Sequence, residues 1–152
     1  MRPARRKLGK RPVGVLIVGI FALAGTVVAI LTGTSIVHPG TFLDAIWNLN
    51  PTAHQQFAFL GKLAGYLLFA IAAIMATTGY GLLQGFKWAW WLAVATFAVN
   101  GVGDTINIFI GEPLKGIAGL LVAGMFLFVL LRPATETFFA DLAPAARASR
   151  NP

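Results

Sequence analysis

Cysteine is absent from this chain of 152 residues, and charged side chains are scarce. Without cysteine there can be no disulfide bond, no thiol redox chemistry and no cysteine-based zinc site. Only 11% of the residues are charged, whereas 57% are hydrophobic. With a mean hydropathy of +0.76, the chain is too apolar to keep its surface hydrated as a soluble monomer. The composition therefore predicts a protein embedded in a lipid bilayer.

Motifs of catalytic and cofactor sites are also missing from the sequence. It has no phosphate-binding glycine loop, no G-x-S-x-G elbow, no H-E-x-x-H motif and no intramembrane pair of aspartates. We therefore expect a non-enzymatic protein with no cofactor and no bound metal. His38, His54 and Asp44 could supply metal ligands, but no fixed helical spacing joins them. We interpret these three as interfacial polar residues.

Four apolar segments reach the length of about 20 residues that a helix needs to cross a bilayer. They are residues 13–37, 57–83, 88–110 and 114–131. The first is too long for a signal-peptide core and ends without an A-x-A site, so we interpret it as a retained anchor. The sequence predicts an all-α integral membrane four-helix bundle. Its single membrane domain covers 13–132, between a basic tail at 1–12 and a short tail at 133–152.

The positive charges predict the orientation of these spans. Six of the twelve Lys and Arg residues lie in the N-terminal tail, Lys87 lies in the second connection, and three lie in the C-terminal tail. Only Lys62 and Lys115 lie on or near the other side. Because cytoplasmic loops carry an excess of Lys and Arg, both termini are expected in the cytoplasm, with the chain in a plasma membrane of the prokaryotic inner-membrane type. The basic cluster flanks an apolar run, so we expect no nucleic-acid partner.

The outer connection, residues 38–56, is predicted to contain a short helix at the membrane interface. Thr41 and Asp44 have the spacing of a capping box at its start. Its apolar residues would gather on one side: Phe42, Leu43, Ile46 and Trp47. Such a segment could be a lid over a crevice or a strap that packs against the spans.

Aromatic residues at the cytoplasmic side are predicted to act as interfacial anchors. One group is expected at the inner headgroups: Trp88, Trp90 and Trp91. After Pro133 ends the fourth span, a second group could lie on the inner leaflet: Phe138, Phe139 and Leu142.

Small residues predict how the helices pack. The second helix is expected to start at Pro51 and run unbroken to about Leu83. Along it, small residues recur at a seven-residue interval, with two more between them: Ala58, Gly65, Ala72 and Gly79, then Gly61 and Ala76. The first and fourth spans have similar faces: Ala22, Gly25, Ala29 and Gly33, and Gly116, Gly119 and Ala123. In lipid, such faces let helix backbones approach closely, within the bundle, in a homo-oligomer or against a partner subunit.

A polar stripe interrupts the third span. It comprises Thr96, Asn100, Asp104 and Asn107, with Gly103 and Gly111 beside it. At the helical period its four polar residues fall within about 80° of one another. A carboxylate near the centre of a membrane helix costs about 2.5–3.5 kcal/mol, so the stripe must face the bundle interior, a hydrated crevice or another protein. Lys62 has a similar predicted depth, which makes it a candidate partner of Asp104.

These features favour an accessory or scaffolding membrane subunit, in which Asp104 and Lys62 fix the register of neighbouring helices. The alternative is a proton- or cation-coupled transporter of small solutes that uses Asp104. A surface for a lipid headgroup, a quinone or a partner helix is a third hypothesis. The chain is similar in size and span count to small four-helix multidrug exporters. Their pattern places the essential carboxylate in the first helix, where this chain has none.

Overall fold

A computed structural model of the protein describes residues 11–109 and 112–148, without the side chains at positions 52, 56, 58 and 141–148. The described elements are all helical, which confirms the all-α class. In chain order they are α1 (Val13–Val37), a 3-10 helix (Phe42–Leu49), α2 (Pro51–Leu60), α3 (Lys62–Gln84), α4 (Lys87–Phe109), α5 (Pro113–Leu130) and α6 (Pro133–Ala148). The basic cluster at 1–10, Gly111 and the arginine at 150 lie outside the described residues.

Four of these helices are long and apolar enough to cross a membrane, namely α1, α3, α4 and α5. Three of them match the predicted spans to within one residue at either end, while α3 starts five residues later than expected. Large apolar side chains on all four helices are exposed, among them Ile17, Tyr66, Val99 and Leu121. The long apolar runs alone therefore located the four helices.

The chain divides into two compact units. The described residues of Met1–Gly19 and Tyr80–Pro152 form the terminal unit, and Ile20–Gly79 forms the central unit. Both α1 and α3 cross from one unit to the other, so each unit contains a part of these two helices.

Trp90 lies in the core of the terminal unit. The buried residues of this core are Val15, Val18, Leu82, Ala89, Trp90, Ala93, Phe97, Phe126, Leu130 and Phe139. The indole Nε1 of Trp90 donates a hydrogen bond of 2.8 Å to the carbonyl oxygen of Leu130, which satisfies an acceptor at the end of α5. Trp90 was expected at the inner headgroups, and that prediction is wrong for this residue. Trp88 and Trp91 are exposed.

The segment after α5 forms a further helix, α6, which packs on α4 and α5. Pro133 begins the new helix, a position that proline favours. Thr135 Oγ1 donates to the carbonyl oxygen of Val129 at 2.9 Å, and Phe139 is buried beside Trp90, with ring centroids 6.2 Å apart. The expected placement of Phe139 on the inner leaflet is therefore wrong. Phe138 is half-buried, and the side chain of residue 142 lies outside the described part of the chain.

Gly61 divides the predicted second helix into α2 and α3. Its φ of +55° lies in the left-handed region, which a right-handed helix cannot include. A Cβ at this position would meet nothing within 4 Å, so Gly61 makes no close contact within the described chain, and its packing role stays a prediction. The break leaves α3 with 23 residues, or about 35 Å at 1.5 Å per residue. That length is close to the roughly 30 Å of a bilayer's hydrocarbon core.

Gly65, on the predicted small-residue face of α3, lies at a close helix contact within the central unit. A Cβ on Gly65 would lie 2.9 Å from the carbonyl oxygen of Gly33, so the backbones of α1 and α3 nearly touch there. Further along α3, Ala72 is 3% exposed and Gly79 is buried. Gly25 of α1 packs against the Met75 side chain. Residue 58, at the start of the heptad pattern, has no described side chain.

The outer connection forms a 3-10 helix without the predicted capping box. Thr41 makes no side-chain cap hydrogen bond; its Oγ1 instead donates to the carbonyl oxygen of His38 at 3.4 Å. Asp44 accepts hydrogen bonds from outside the helix. With three residues per turn, Phe42 turns away from the apolar side and is 88% exposed, whereas Trp47 is 7% exposed. The predicted grouping of Phe42 with Trp47 is therefore wrong.

Replacing Gly61 with alanine should destabilise the protein although the new methyl group meets no neighbour. An L-residue in the left-handed region costs about 1–2 kcal/mol, and Gly61→Asn should lose less because asparagine adopts this region more readily. The melting temperature of the purified protein in detergent, followed by size-exclusion chromatography after heating, measures the difference. An alanine variant as stable as the wild type would contradict the requirement for a left-handed residue here.

Candidate functional site

The polar stripe of α4 runs beside a groove between α4 and α5. Phe97, Asn100 and Asp104 line this groove on the α4 side. The α5 side is formed by Ala118, Gly119, Val122 and Ala123, and the groove has a volume of about 400 Å³. Thr96 and Asn107 are half-buried but do not line it. The structure thus brings two of the four predicted polar residues into one site, which we call the α4–α5 groove.

The Asp104 carboxylate lies directly against Gly119. A Cβ built on Gly119 would overlap both carboxylate oxygens and the Cγ atom of Asp104. Any larger residue at position 119 would collide with the Asp104 carboxylate in its present position. The sequence identified Gly119 as part of a small helix face, but it carried no signal that this glycine seats the aspartate.

Gly116, one turn before Gly119, sets how close the two helices come. A Cβ on Gly116 would lie 2.5 Å from the carbonyl oxygen of Asp104 and 2.8 Å from the backbone nitrogen of Ile108. Both atoms belong to the α4 backbone, so α4 and α5 are in direct main-chain contact. Backbone contact of this kind is what small residues permit between helices.

The Asp104 carboxylate has no ionic or hydrogen-bonding partner among the described residues of the terminal unit. Two other polar side chains of these helices are engaged elsewhere: Thr105 Oγ1 donates to the carbonyl oxygen of Gly101 at 2.7 Å, and Lys115 pairs with Glu112 at 2.8 Å. Asp104 is half-buried, and the groove opens to the surface past the exposed Asn100, Ala118 and Val122. A carboxyl group therefore lines a mostly apolar, open groove.

Lys62, the predicted partner of Asp104, belongs to the central unit. There it lines a second cavity together with Asp44 and His54. Because Lys62 and Asp104 lie in different units, their pairing stays a prediction. His38 does not line this cavity, and the described part of the chain has no group of three or more side chains placed to hold a metal ion.

Comparison with protein-family models, with curated proteins and with solved structures finds no match to this chain.

Proposed function

We propose that the chain is a four-span protein of the plasma membrane that acts as a non-enzymatic accessory or scaffolding subunit. Four helices of spanning length support this proposal. Their exposed apolar side chains would form large hydrophobic patches in water, whereas a bilayer covers them. The unequal distribution of Lys and Arg supports cytoplasmic positions for both termini.

The observation that carries the subunit proposal is the unpartnered carboxylate in the α4–α5 groove. Facing lipid, Asp104 would cost about 2.5–3.5 kcal/mol on the lower of the insertion scales. The groove opens away from the terminal unit, so a group from outside this unit must cover it. Ala118 presents a small, exposed side chain on the α5 wall of the groove, and small residues let a helix backbone come close.

Charge complementarity selects the occupant of the groove. Two copies packed groove to groove would bring two carboxylates together, and like charges at short range oppose ionisation. A membrane-spanning helix of a partner subunit that carries Lys or Arg would instead form a charge-assisted hydrogen bond with Asp104. Asn100, on the same groove wall, adds an amide that can bond to a second polar group. We therefore propose a cationic partner helix as the occupant.

A coupled transporter is the second candidate, because a groove of about 400 Å³ reaches Asp104. The two candidates differ in whether water enters the groove. Since the chain lacks cysteine, Asn100→Cys supplies a unique thiol, and a membrane-impermeant maleimide can probe it in native membranes. A scaffold predicts no labelling of this thiol until detergent removes the partner. Rapid labelling from the aqueous side would support transport and contradict a sealed groove.

The proposed topology makes a separate prediction. Reporter fusions at Gln84 and after residue 150 should both report the cytoplasm, and a fusion within 48–51 should report the outside. The reason is the excess of Lys and Arg on the side of both termini. The enzymatic activities of a paired cytoplasmic and external reporter measure this directly. An external C-terminus would rule out four spans with a cytoplasmic N-terminus.

A further inference from the structure

The central unit contains a cavity of about 290 Å³ between the end of α1, the 3-10 helix, α2 and the start of α3. Its polar walls come from Ser35, Asp44, His54 and Lys62, and its apolar wall comes from Ile36 and Pro39. This volume is just below the usual range of small-molecule sites, about 300–1,000 Å³, so it suits a small headgroup-sized ligand. The cavity does not involve the α4–α5 groove, so the ligand chemistry inferred for it does not rest on the proposed function; only the choice of a lipid as the source rests on the proposed membrane location.

Asp44 forms a fixed acidic wall of the cavity. Its Oδ1 accepts a hydrogen bond from Ser35 Oγ at 2.6 Å, and its Oδ2 accepts one from the backbone nitrogen of Gly40 at 2.7 Å. The hydrogen bond from Ser35, followed by that from Gly40, lowers the pKa of Asp44 below its usual value. The carboxylate is therefore ionised at neutral pH, and each oxygen keeps a lone pair for another donor.

Ser35 and Trp47 hold this acidic wall in place. Ser35 is 2% exposed, and its hydroxyl accepts a hydrogen bond of 2.8 Å from Trp47 Nε1 while donating to Asp44. The Trp47 ring in turn stacks on His54, with ring centroids 4.7 Å apart and planes inclined by 22°. One network, buried at Ser35 and Trp47, thus positions both Asp44 and His54 before any ligand binds.

Lys62 forms the basic wall of the cavity because the helix is interrupted at Gly61. The left-handed backbone at Gly61 ends α2 and starts α3 at Lys62, and both residues line the cavity. Lys62 is exposed. Within the described residues of the central unit, no ion pair joins it to Asp44. Two opposite charges therefore face one cavity without neutralising each other.

We propose that this cavity binds a zwitterion with an ammonium group and a phosphate group, with the ammonium on Asp44 and the phosphate on Lys62 and His54. An ammonium donates charge-assisted hydrogen bonds to a carboxylate, and lysine is a common phosphate ligand. The phosphoethanolamine headgroup of a lipid and a soluble phosphoethanolamine ester share this chemistry. The lipid source fits better, because the cavity lies at the start of a helix long enough to span a membrane.

The test uses the purified full chain in detergent, titrated with short-chain phosphatidylethanolamine or phosphatidylcholine while the melting temperature is measured. Phosphatidylethanolamine should bind at least ten-fold more tightly, because the quaternary ammonium of phosphatidylcholine has no N–H to donate to Asp44. Soluble glycerophosphoethanolamine identifies the source. If glycerophosphoethanolamine binds as tightly as phosphatidylethanolamine, the natural ligand is a soluble ester. If it binds much more weakly, the natural ligand is the lipid. Both results support the ammonium–phosphate chemistry.

Variants locate the site. Asp44→Asn should remove the preference for ethanolamine over choline, and Lys62→Gln should weaken the binding of both lipids at least ten-fold. Lys115→Gln, which removes a lysine outside the cavity, should bind like the wild type. If Asp44→Asn does not fold, because Asp44 also holds Gly40, the comparison of Lys62→Gln with Lys115→Gln decides. Equal binding of the two lipids by the wild type, or wild-type binding by Lys62→Gln, would overturn the proposal.

Discussion

Replacing Gly116 with leucine is expected to leave little folded protein. Any side chain at this position enters the α4 backbone, since a Cβ would already lie 2.5 Å from the carbonyl oxygen of Asp104. Main-chain atoms within a helix cannot rotate away as a flexible side chain can, so α4 and α5 must separate. We expect a loss of about 3 kcal/mol or more, at or above the upper end of the usual cost of overpacking.

Gly124→Leu is the matched control, because Gly124 lies on the same helix and a Cβ there would meet nothing within 4 Å. The two variants change hydrophobicity and helix propensity equally, so their difference isolates the contact with α4. The yield of monodisperse protein and its melting temperature in detergent measure both. Equal behaviour of the two variants would show that the main-chain contact at Gly116 contributes nothing.

Substitution of Asp104 should separate folding from partner binding. The carboxylate has no partner among the described residues of its own unit. Asp104→Leu should therefore leave the isolated chain at least as stable as the wild type. In membranes that contain the partner, the same change should remove a buried charge pair, and losing one member of such a pair costs about 2–5 kcal/mol of association free energy. Asp104→Asn should give an intermediate loss, since the amide keeps an acceptor but not the charge.

A double-mutant cycle with Lys62→Gln tests the competing intramolecular pair. If Asp104 and Lys62 interact within the chain, the loss of stability in the double variant should be smaller than the sum of the two single losses. The partner-subunit proposal predicts additivity to within about 0.5 kcal/mol in the isolated chain. The free energy of unfolding in mixed micelles is the quantity to compare. A coupling above about 1 kcal/mol would return Asp104 to an internal structural role.

The sequence was sufficient to locate the long helices because their signal is a continuous apolar run. Hydropathy located α1, α4 and α5 to within one residue. Proline, glycine or polar residues lie at or near the ends of these helices in the sequence. The polar stripe was equally visible, since the helical period alone decides which residues of one helix share a face. Both inferences need information from one segment only.

The contacts between segments could not be predicted in the same way. Gly61 occurs in a small-residue pattern that suits an unbroken helix, and nothing in that pattern signals its left-handed backbone. Trp90 was expected at the membrane–water interface because tryptophan is common there. In the structure its indole N–H donates instead to the Leu130 carbonyl oxygen at the end of α5. The contact of the Asp104 carboxylate with Gly119 depends on how α4 and α5 pack against each other. No sequence pattern within either helix specifies that packing.

Photo-cross-linking from the α4–α5 groove in native membranes tests the central proposal most directly. A photoreactive residue at Ala118, exposed on the groove wall, should cross-link to a membrane-spanning segment that contains Lys or Arg, as mapped by peptide mass spectrometry. Asp104→Leu should abolish that cross-link. The same residue at Val99, 70% exposed and outside the groove, should cross-link to lipid. Cross-links from Ala118 to lipid alone, or to a second copy of this chain, would contradict a cationic partner helix.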